Sequence, residues 1–405
     1  MPESSTLRFS QTIGVPIAAV YHAFTNQAAV TQWLCNNALI TAREGGSLFF
    51  NWNQPRYYAM GEFTRLEINN VIEFTWLGKG EPAQTKVQIT ISKDDETTKL
   101  DLAHLDLGTG EEWADTRKQI ERGWTFSLKN LKQVLEVGLD KRAYDQPFLG
   151  ILISGVVSEE EAQQWDPDIK GGIRISGTLN HTGAAKIGLE PQDVIVRLGD
   201  VQTKDFPSLQ QVVRNHDVGD TLDVVFFRDG SKRTAEMTFS ARPAPDVPAS
   251  PKYLAEAMGN TYDQLNQELD AIVSGLDEAT AEYKSEEDEW CAKEILAHLL
   301  TNERALQMWI SSMVDNQFLL GWPNNPQAWI GSVANTSSMA KLAEAFKKCE
   351  AETVELLSLL PEDTVSRKST YYTIAENALN FFPSHTRAHF LEMQEAVKIA
   401  QADRS

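Results

Sequence analysis

Two histidines, His385 and His389, stand four residues apart in the run Pro383-Ser384-His385-Thr386-Arg387-Ala388-His389. A third, His298, lies in the helix-like stretch 290–300, WCAKEILAHLL. On a helix, positions i and i+4 lie one above the other on the same face. Two imidazoles so placed can share one metal ion, with a third ligand brought by a neighbouring helix. Three neutral imidazoles leave a coordination position open, which is how catalytic rather than structural zinc sites are built. With seven histidines in 405 residues, this trio is the sharpest chemical signal in the chain.

Other chemistry finds less support. Thr386 follows His385, so the HExxH pattern of zinc proteases is absent. The chain holds no P-loop, no dinucleotide fingerprint and no GxSxG elbow, which leaves nucleotide-driven and serine-hydrolase chemistry without a motif. His22, His104, His181 and His216 share no ligand-like spacing. Glu294 and Asn302 lie one turn either side of His298 on the same helix face, where outer partners of a ligand would stand. Glu303 and Arg387 are alternative polar neighbours, and all four fit a solvated surface equally well. No catalytic residue can be named from the sequence.

The elements that position the trio are helices. Periodic apolar runs at residues 253–275, 290–313, 338–360 and 372–400 predict a four-helix bundle, the kind of fold in which facing helices build metal sites. Pro361 stops the third run, and Ser337 or Ser338 can cap its start. Pro383 either begins the last helix or kinks one that starts near Thr373, because proline lacks the amide a helix interior needs. The acidic run 285–289 reads as the negatively charged start of the second helix.

The rest of the chain divides at two linkers. The first covers residues 138–147. The second, residues 241–251, carries four prolines in eleven positions and favours an extended spacer. Residues 1–140 read as α+β: a helix at about 17–25, strands near 47–52, 71–77, 86–92 and 99–107, then a long helix over about 113–136. Trp124, Leu128, Leu131 and Leu135 repeat on that helix at helical spacing, and such a stripe must be buried against the sheet. Residues 147–242 alternate strands with short helices, including one at 208–215 and an Asp229-Gly230 hairpin turn.

Bulk composition narrows the class further. The net charge, 37 − 57 = −20, argues against nucleic acid or an anionic membrane as partner. Three widely separated cysteines, Cys35, Cys291 and Cys349, form neither a disulfide framework nor a CxxC site, which points to a reducing compartment. The start lacks a basic and apolar leader, and no apolar stretch reaches membrane-spanning length. A soluble cytoplasmic multidomain protein is expected.

Three resemblances sharpen these expectations. Residues 43–52, 72–76 and 123–131 resemble the family of activator of heat-shock protein 90 ATPase homologues, within the SRPBCC (START-like) superfamily. That resemblance implies a helix-grip fold over residues 1–140, with a cavity between sheet and long helix that can hold a small apolar ligand. Trp33, Trp52, Trp76 and Trp124 then either line the cavity or fill the core. The domain that eukaryotic activators use to bind their chaperone has no counterpart here.

Residues 147–242, above all HTGAAKIGLEPQDVIVRLGD at 181–200, resemble a bacterial-type PDZ domain, a small β-sandwich or barrel-like fold. This implies capture of a peptide or protein C-terminus as an added strand. Backbone amides of Phe148, Leu149, Gly150 and Ile151 would hold the carboxylate, and Ile151, Ile153, Leu209, Val212 and Val213 would wall the groove. The same apolar residues would serve equally as core of a small domain. The chain's own polar end, 402–405, fits such a groove poorly.

Residues 252–405, through WCAKEILAHLL and the His385–His389 pair, resemble the DinB-like (damage-inducible) superfamily, which includes thiol-dependent S-transferases. There, one histidine of the second helix and a His-xxx-His pair of the fourth bind a divalent metal, often zinc or nickel. Carried over, the ligands are His298, His385 and His389. Bundles of this type often pair, so a homodimer is an expectation by analogy. The leading functional expectation is a binding protein joining an apolar-ligand pocket, a peptide groove and a metal site. The alternatives are a metal-dependent thiol S-transferase acting through the bundle and a co-chaperone-like stress protein.

Overall fold

The computed structural model describes residues 4–54, 56–286, 289–317 and 327–404. By contact density the chain forms two compact units, Met1–Gly138 with Pro245–Ser405, and Leu139–Ala244.

The first part of the larger unit is a seven-stranded antiparallel sheet gripping one long helix. Its strands are β1 (Ser4–Ile13), β2 (Asn37–Ile40), β3 (Ser47–Trp52), β4 (Tyr57–Glu67), β5 (Val71–Gly78), β6 (Thr85–Asp94) and β7 (Thr97–Gly108), in the order β1-β7-β6-β5-β4-β3-β2. Helices α1 (Ile17–Thr25) and α2 (Gln27–Thr31) lie between the first two strands. Strand β5 shows why sheet and helix meet: Ile72, Phe74 and Trp76 alternate onto one face and are all buried, the period-2 signature of a strand packed on a core. Helix α3 (Ala114–Val137) answers with Ile120, Trp124, Leu128 and Leu131 at helical spacing, and ends where Gly138 adopts φ 89°, a left-handed cap that glycine takes without strain.

The smaller unit holds α4 (Lys141–Tyr144), β8 (Pro147–Phe148), β9 (Ile151–Val157), α5 (Glu159–Gln163), β10 (Gly172–Thr178), α6 (Gly183–Lys186), β11 (Val194–Leu198), β12 (Val201–Gln202), α7 (Phe206–Arg214), β13 (Thr221–Arg228), β14 (Ser231–Thr238) and β15 (Ser240–Ala241). Part of the stretch expected as a linker at 138–147 is thus helical, with Asp140 capping α4. The main sheet runs β14-β13-β11-β10-β9, which leaves β9 at an edge. Asp229 and Gly230 both have positive φ at the β13–β14 turn, the geometry of a type I′ hairpin.

The C-terminal part is helical: α8 (Pro251–Val273), α9 (Glu278–Ala281), α10 (Ala292–Val314), α11 (Gln327–Asn335), α12 (Met339–Ser358), α13 (Glu362–Ser366), α14 (Lys368–Glu376) and α15 (Phe382–Asp403). Helices α8, α10, α12 and α15 bury one continuous core through Leu265, Leu296, Leu306, Phe346 and Met393. Ser338 caps α12, its side chain accepting from the Lys341 amide. Two expectations are corrected. The second helix starts at Ala292 with Cys291 as its cap, after the acidic run rather than in it; Glu287 and Asp288 of that run lie outside the described residues. The fourth apolar run is two helices joined by a π-helical turn, Asn377–Phe381. Such a turn forgoes the ordinary i→i−4 bonds, and Pro383 follows it in the first turn of α15, where its missing amide is tolerated.

Bundle and helix-grip part belong to one unit and are joined by specific bonds. Asn26 Nδ2 donates to Asn316 O (3.1 Å) and Gln32 Nε2 to Thr370 Oγ1 (2.9 Å). Lys368 Nζ donates to Glu136 O beside the close approach of Gly138 to α14.

Candidate functional site

Helices α10 and α15 bring the three histidines together. One nitrogen from each of His298, His385 and His389 lies within 4.8 Å of the other two, and all three residues are half-buried. Among the described residues no other group of His, Cys, Asp and Glu forms such a cluster. The Nε2 atoms of His385 and His389 are 3.2 Å apart. Two nitrogens bound at 2.0–2.1 Å in a tetrahedral zinc site stand about 3.3 Å apart, so the pair already has the spacing of two ligands to one ion.

The surroundings select the ring nitrogens. His389 Nδ1 lies 2.7 Å from Glu392 Oε2. A carboxylate only accepts, so Nδ1 carries the hydrogen and Nε2 keeps its lone pair, the tautomer a ligand needs. Asn302 Nδ2 donates to His298 Nε2 at 2.9 Å. Trp290 packs on His298 at 4.7 Å between centroids, and Phe381 stacks on His385 at 6.3 Å. Burial, reinforced by the two neighbouring imidazoles, lowers the His298 pKa to about 4; burial, then His389, lowers that of His385. Both therefore stand neutral at pH 7, as metal donors must. A cleft of about 430 Å³ opens beside the cluster between Trp290 and Glu392, with Glu289 and Glu395 on its walls, an acidic approach for a cation.

The other polar residues singled out around His298 are engaged elsewhere. Glu294 accepts from the Cys291 amide (3.2 Å) and pairs with Lys284 (2.8 Å), closing the start of α10. Arg387 pairs with Glu268. Glu303 accepts from Tyr262 Oη and Thr353 Oγ1, each at 2.5 Å, inside the bundle. Glu392 went unnoticed in the sequence, and Trp290 stands there only as the first residue of the WCAKEILAHLL stretch. Glu392 had a local signal, since it stands one helical turn from His389; Trp290 had none, because it precedes the helix.

The helix-grip part carries a half-open cavity of about 340 Å³ between β3, β5 and α3. Trp52, Trp76 and Trp124 line it, together with Tyr57, Glu81 and Arg122. Trp33 is not in that lining: it is 1% exposed and its indole N–H donates to Ala23 O. Behind the wall lies His104, fully buried. Trp124 Nε1 donates to His104 Nδ1 (3.1 Å), so His104 Nε2 carries the hydrogen and donates to Thr85 Oγ1 (2.8 Å), which in turn donates to Trp76 O (3.1 Å). Burial lowers the His104 pKa to about 4.

In the smaller unit, Gly150 has φ 81°, and a Cβ there would lie 2.0 Å from Thr182 Oγ1. The loop's carbonyls are tied down: Leu149 O accepts from the Ala184 amide and Gly150 O from the Leu179 amide. The Leu149 and Gly150 amides donate to no acceptor among the described residues. Beyond the loop, β9 presents Leu152 and Ile153 at an open sheet edge. Of the expected groove residues, Leu149, Leu209 and Val212 are buried in the core, while Phe148, Ile151 and Val213 are half-buried.

These three sites sit in three kinds of domain. Family models match residues 14–136 as Activator of Hsp90 ATPase homolog 1-like protein, residues 149–238 as PDZ domain and residues 261–393 as DinB superfamily. The chain thus carries an SRPBCC-like, a PDZ and a DinB-superfamily domain in that order. It is 30% identical over 99 residues to the serine protease Do-like HtrA of Lactococcus lactis subsp. lactis, 24% of either chain, and 30% over 96 residues to a probable periplasmic DegP-like endoprotease of Marinomonas, 20% of that protein. The chain therefore spans about a quarter or less of these curated relatives. Among solved structures, CalU16 of Micromonospora echinospora is similar at 23% identity over 31% of this chain and 73% of its own, with a TM-score of 0.27. The Aha1 dimer of Colwellia psychrerythraea is similar at 19% over 33% and 98%, with a TM-score of 0.29. No described helix is long and apolar enough to cross a membrane.

Proposed function

We propose that this chain is a multidomain binding protein whose chemical centre is a divalent metal site in the bundle, held by His298, His385 and His389. The observation that carries the reading is the 3.2 Å between the two Nε2 atoms of α15, with His298 closing the third side. Zinc or nickel suits an all-imidazole donor set. Glu392 holds His389 in the ligating tautomer, and a metal ion at His298 Nε2 would displace the Asn302 amide that donates to that atom. The helix-grip cavity would take a small apolar ligand, with Trp52, Trp76 and Trp124 as its wall. The PDZ unit would take a peptide or protein C-terminus, its carboxylate at the Leu149 and Gly150 amides and its chain along β9. Cytoplasmic placement belongs to the same reading and rests on the wide spacing of Cys35, Cys291 and Cys349 in the sequence, which suits no disulfide framework. Calorimetric titration of metal-stripped protein with Zn(II) and with Ni(II) tests the centre: one site per chain is expected, absent from a His298→Ala, His385→Ala variant. No uptake of either ion by the unaltered protein would overturn the reading.

A second reading, metal-dependent transfer to a low-molecular-weight thiol, is favoured by one observation: three histidines converge, one short of a tetrahedral donor set. A bound metal lowers the pKa of a coordinated thiol and so supplies the nucleophile. Metal-loaded protein that turns over no electrophile with glutathione, mycothiol or bacillithiol would exclude it.

A further inference from the structure

The wall of the helix-grip cavity has a definite electrostatic character. Trp52 and Trp76 stand 6.3 Å apart between centroids, Trp52 and Tyr57 5.3 Å, and Trp76 and Trp124 5.7 Å, with neighbouring planes inclined by 47° to 56°. Every indole N–H in this set already has a protein acceptor: Trp52 donates to Leu34 O (2.6 Å), Trp76 to Glu81 Oε1 (3.1 Å) and Trp124 to His104 Nδ1 (3.1 Å). The Tyr57 hydroxyl is likewise held, donating to Glu81 Oε1 at 2.6 Å. What these four rings offer a ligand is therefore π surface, whose faces carry the negative end of the ring quadrupole.

Glu81 adds a full negative charge to the same wall. Its carboxylate accepts from Tyr57 and Trp76 through one oxygen and from the Gly78 amide (2.9 Å) through the other. These bonds fix it in place, half-buried, and no ion pair to it occurs among the described residues. Arg122 also lines the cavity but sits on the exposed face of α3, where water screens its charge.

We propose that this cavity binds an organic cation, an alkylated ammonium group on a short apolar tail, with the charged head among Trp52, Trp76 and Trp124 and facing Glu81. Aromatic faces and a carboxylate without a counter-cation are the features that favour a weakly hydrated cation over a neutral or anionic group of the same size. The inference rests on the reading of the cavity as a small-molecule pocket and adds the charge of its ligand.

The test is titration of the full chain, followed by calorimetry and tryptophan fluorescence, with hexyltrimethylammonium, N,N-dimethylhexanamide and hexanoate. The cation is expected to bind at least about tenfold more tightly than the amide, with hexanoate weakest. Glu81→Gln should remove most of that advantage, the ratio of cation to amide affinity falling toward one. The comparison of the three probes on the unaltered protein stands even if that variant does not fold. Amide or hexanoate binding as tightly as the cation would overturn the charge preference and leave the pocket; binding of none of the three would overturn both.

Discussion

His104 and Glu350 are buried titratable groups of opposite consequence, and neither role is visible in their sequence neighbourhoods. His104 is held neutral by a chain of bonds from Trp124 through Thr85 to Trp76. Its pKa is about 4 in the fold and about 6.5 in an unfolded chain. Between those values the unfolded state binds the extra proton, so stability is complete above pH 6.5 and falls as pH falls toward 4. From pH 7 to 5 the loss from this group is about 2 kcal/mol. Denaturant melts at the two pH values should show a His104→Gln variant losing less by that amount.

Glu350 is 1% exposed, and burial, then the Glu303 charge, pushes its pKa up to about 9 against the opposing pull of Asn266. The folded state keeps a proton that the unfolded state sheds above about pH 4.5, so stability falls as pH rises between those limits. Glu350→Gln removes that penalty and adds a donor. It should stabilise the protein at pH 8 by roughly 4–5 kcal/mol and by little at pH 4.5; melting at both values checks the sign. The histidine trio was legible because i, i+4 spacing is local. His104 and Glu350 were not, because strand register and helix packing make their environments.

At the level of elements, periodicity found three of the long helices as single runs and the strands whose buried face is plainly apolar, such as β5. Strands β1, β2 and β4 were not picked out. In β1 the alternation is carried by Ser, Thr and Gln as much as by Leu and Phe, and β4 is interrupted by Gly61 and by charged residues on its exposed face. The fourth helical run failed as one element because nothing in its pattern marks the π turn before Pro383. Since that turn has already given up the bonds a proline would break, Pro383→Ala should change stability by less than about 1 kcal/mol, as denaturant melts would show. Gly150 is the opposite case. A left-handed φ and a Cβ placed against Thr182 make Gly150→Ala cost about 2 kcal/mol in the PDZ unit. The same change should abolish binding of a peptide with an apolar C-terminus, read by chemical-shift titration.

On the scale of the whole chain, the two linkers read in the sequence divide it into segments at 1–140, 147–242 and 252–405. By contact density the first and third of these, Met1–Gly138 and Pro245–Ser405, form one compact unit. The bonds that join them, Asn26 to Asn316 and Gln32 to Thr370, link polar residues some three hundred positions apart and leave no periodic trace. Scanning calorimetry should accordingly resolve two transitions rather than three, with the helix-grip part and the bundle melting together. A bound metal should raise only the transition that contains the bundle, because an ion held by the native state alone stabilises the unit that holds it.

The central claim is the metal centre, and elemental analysis of protein purified without added metal tests it most directly, beside a His298→Ala, His385→Ala variant whose fold is verified by circular dichroism. About one equivalent of zinc or nickel per chain, lost in the variant, is the predicted result. A metal content that the two proteins share, or none in either even after incubation with both ions, would contradict the account.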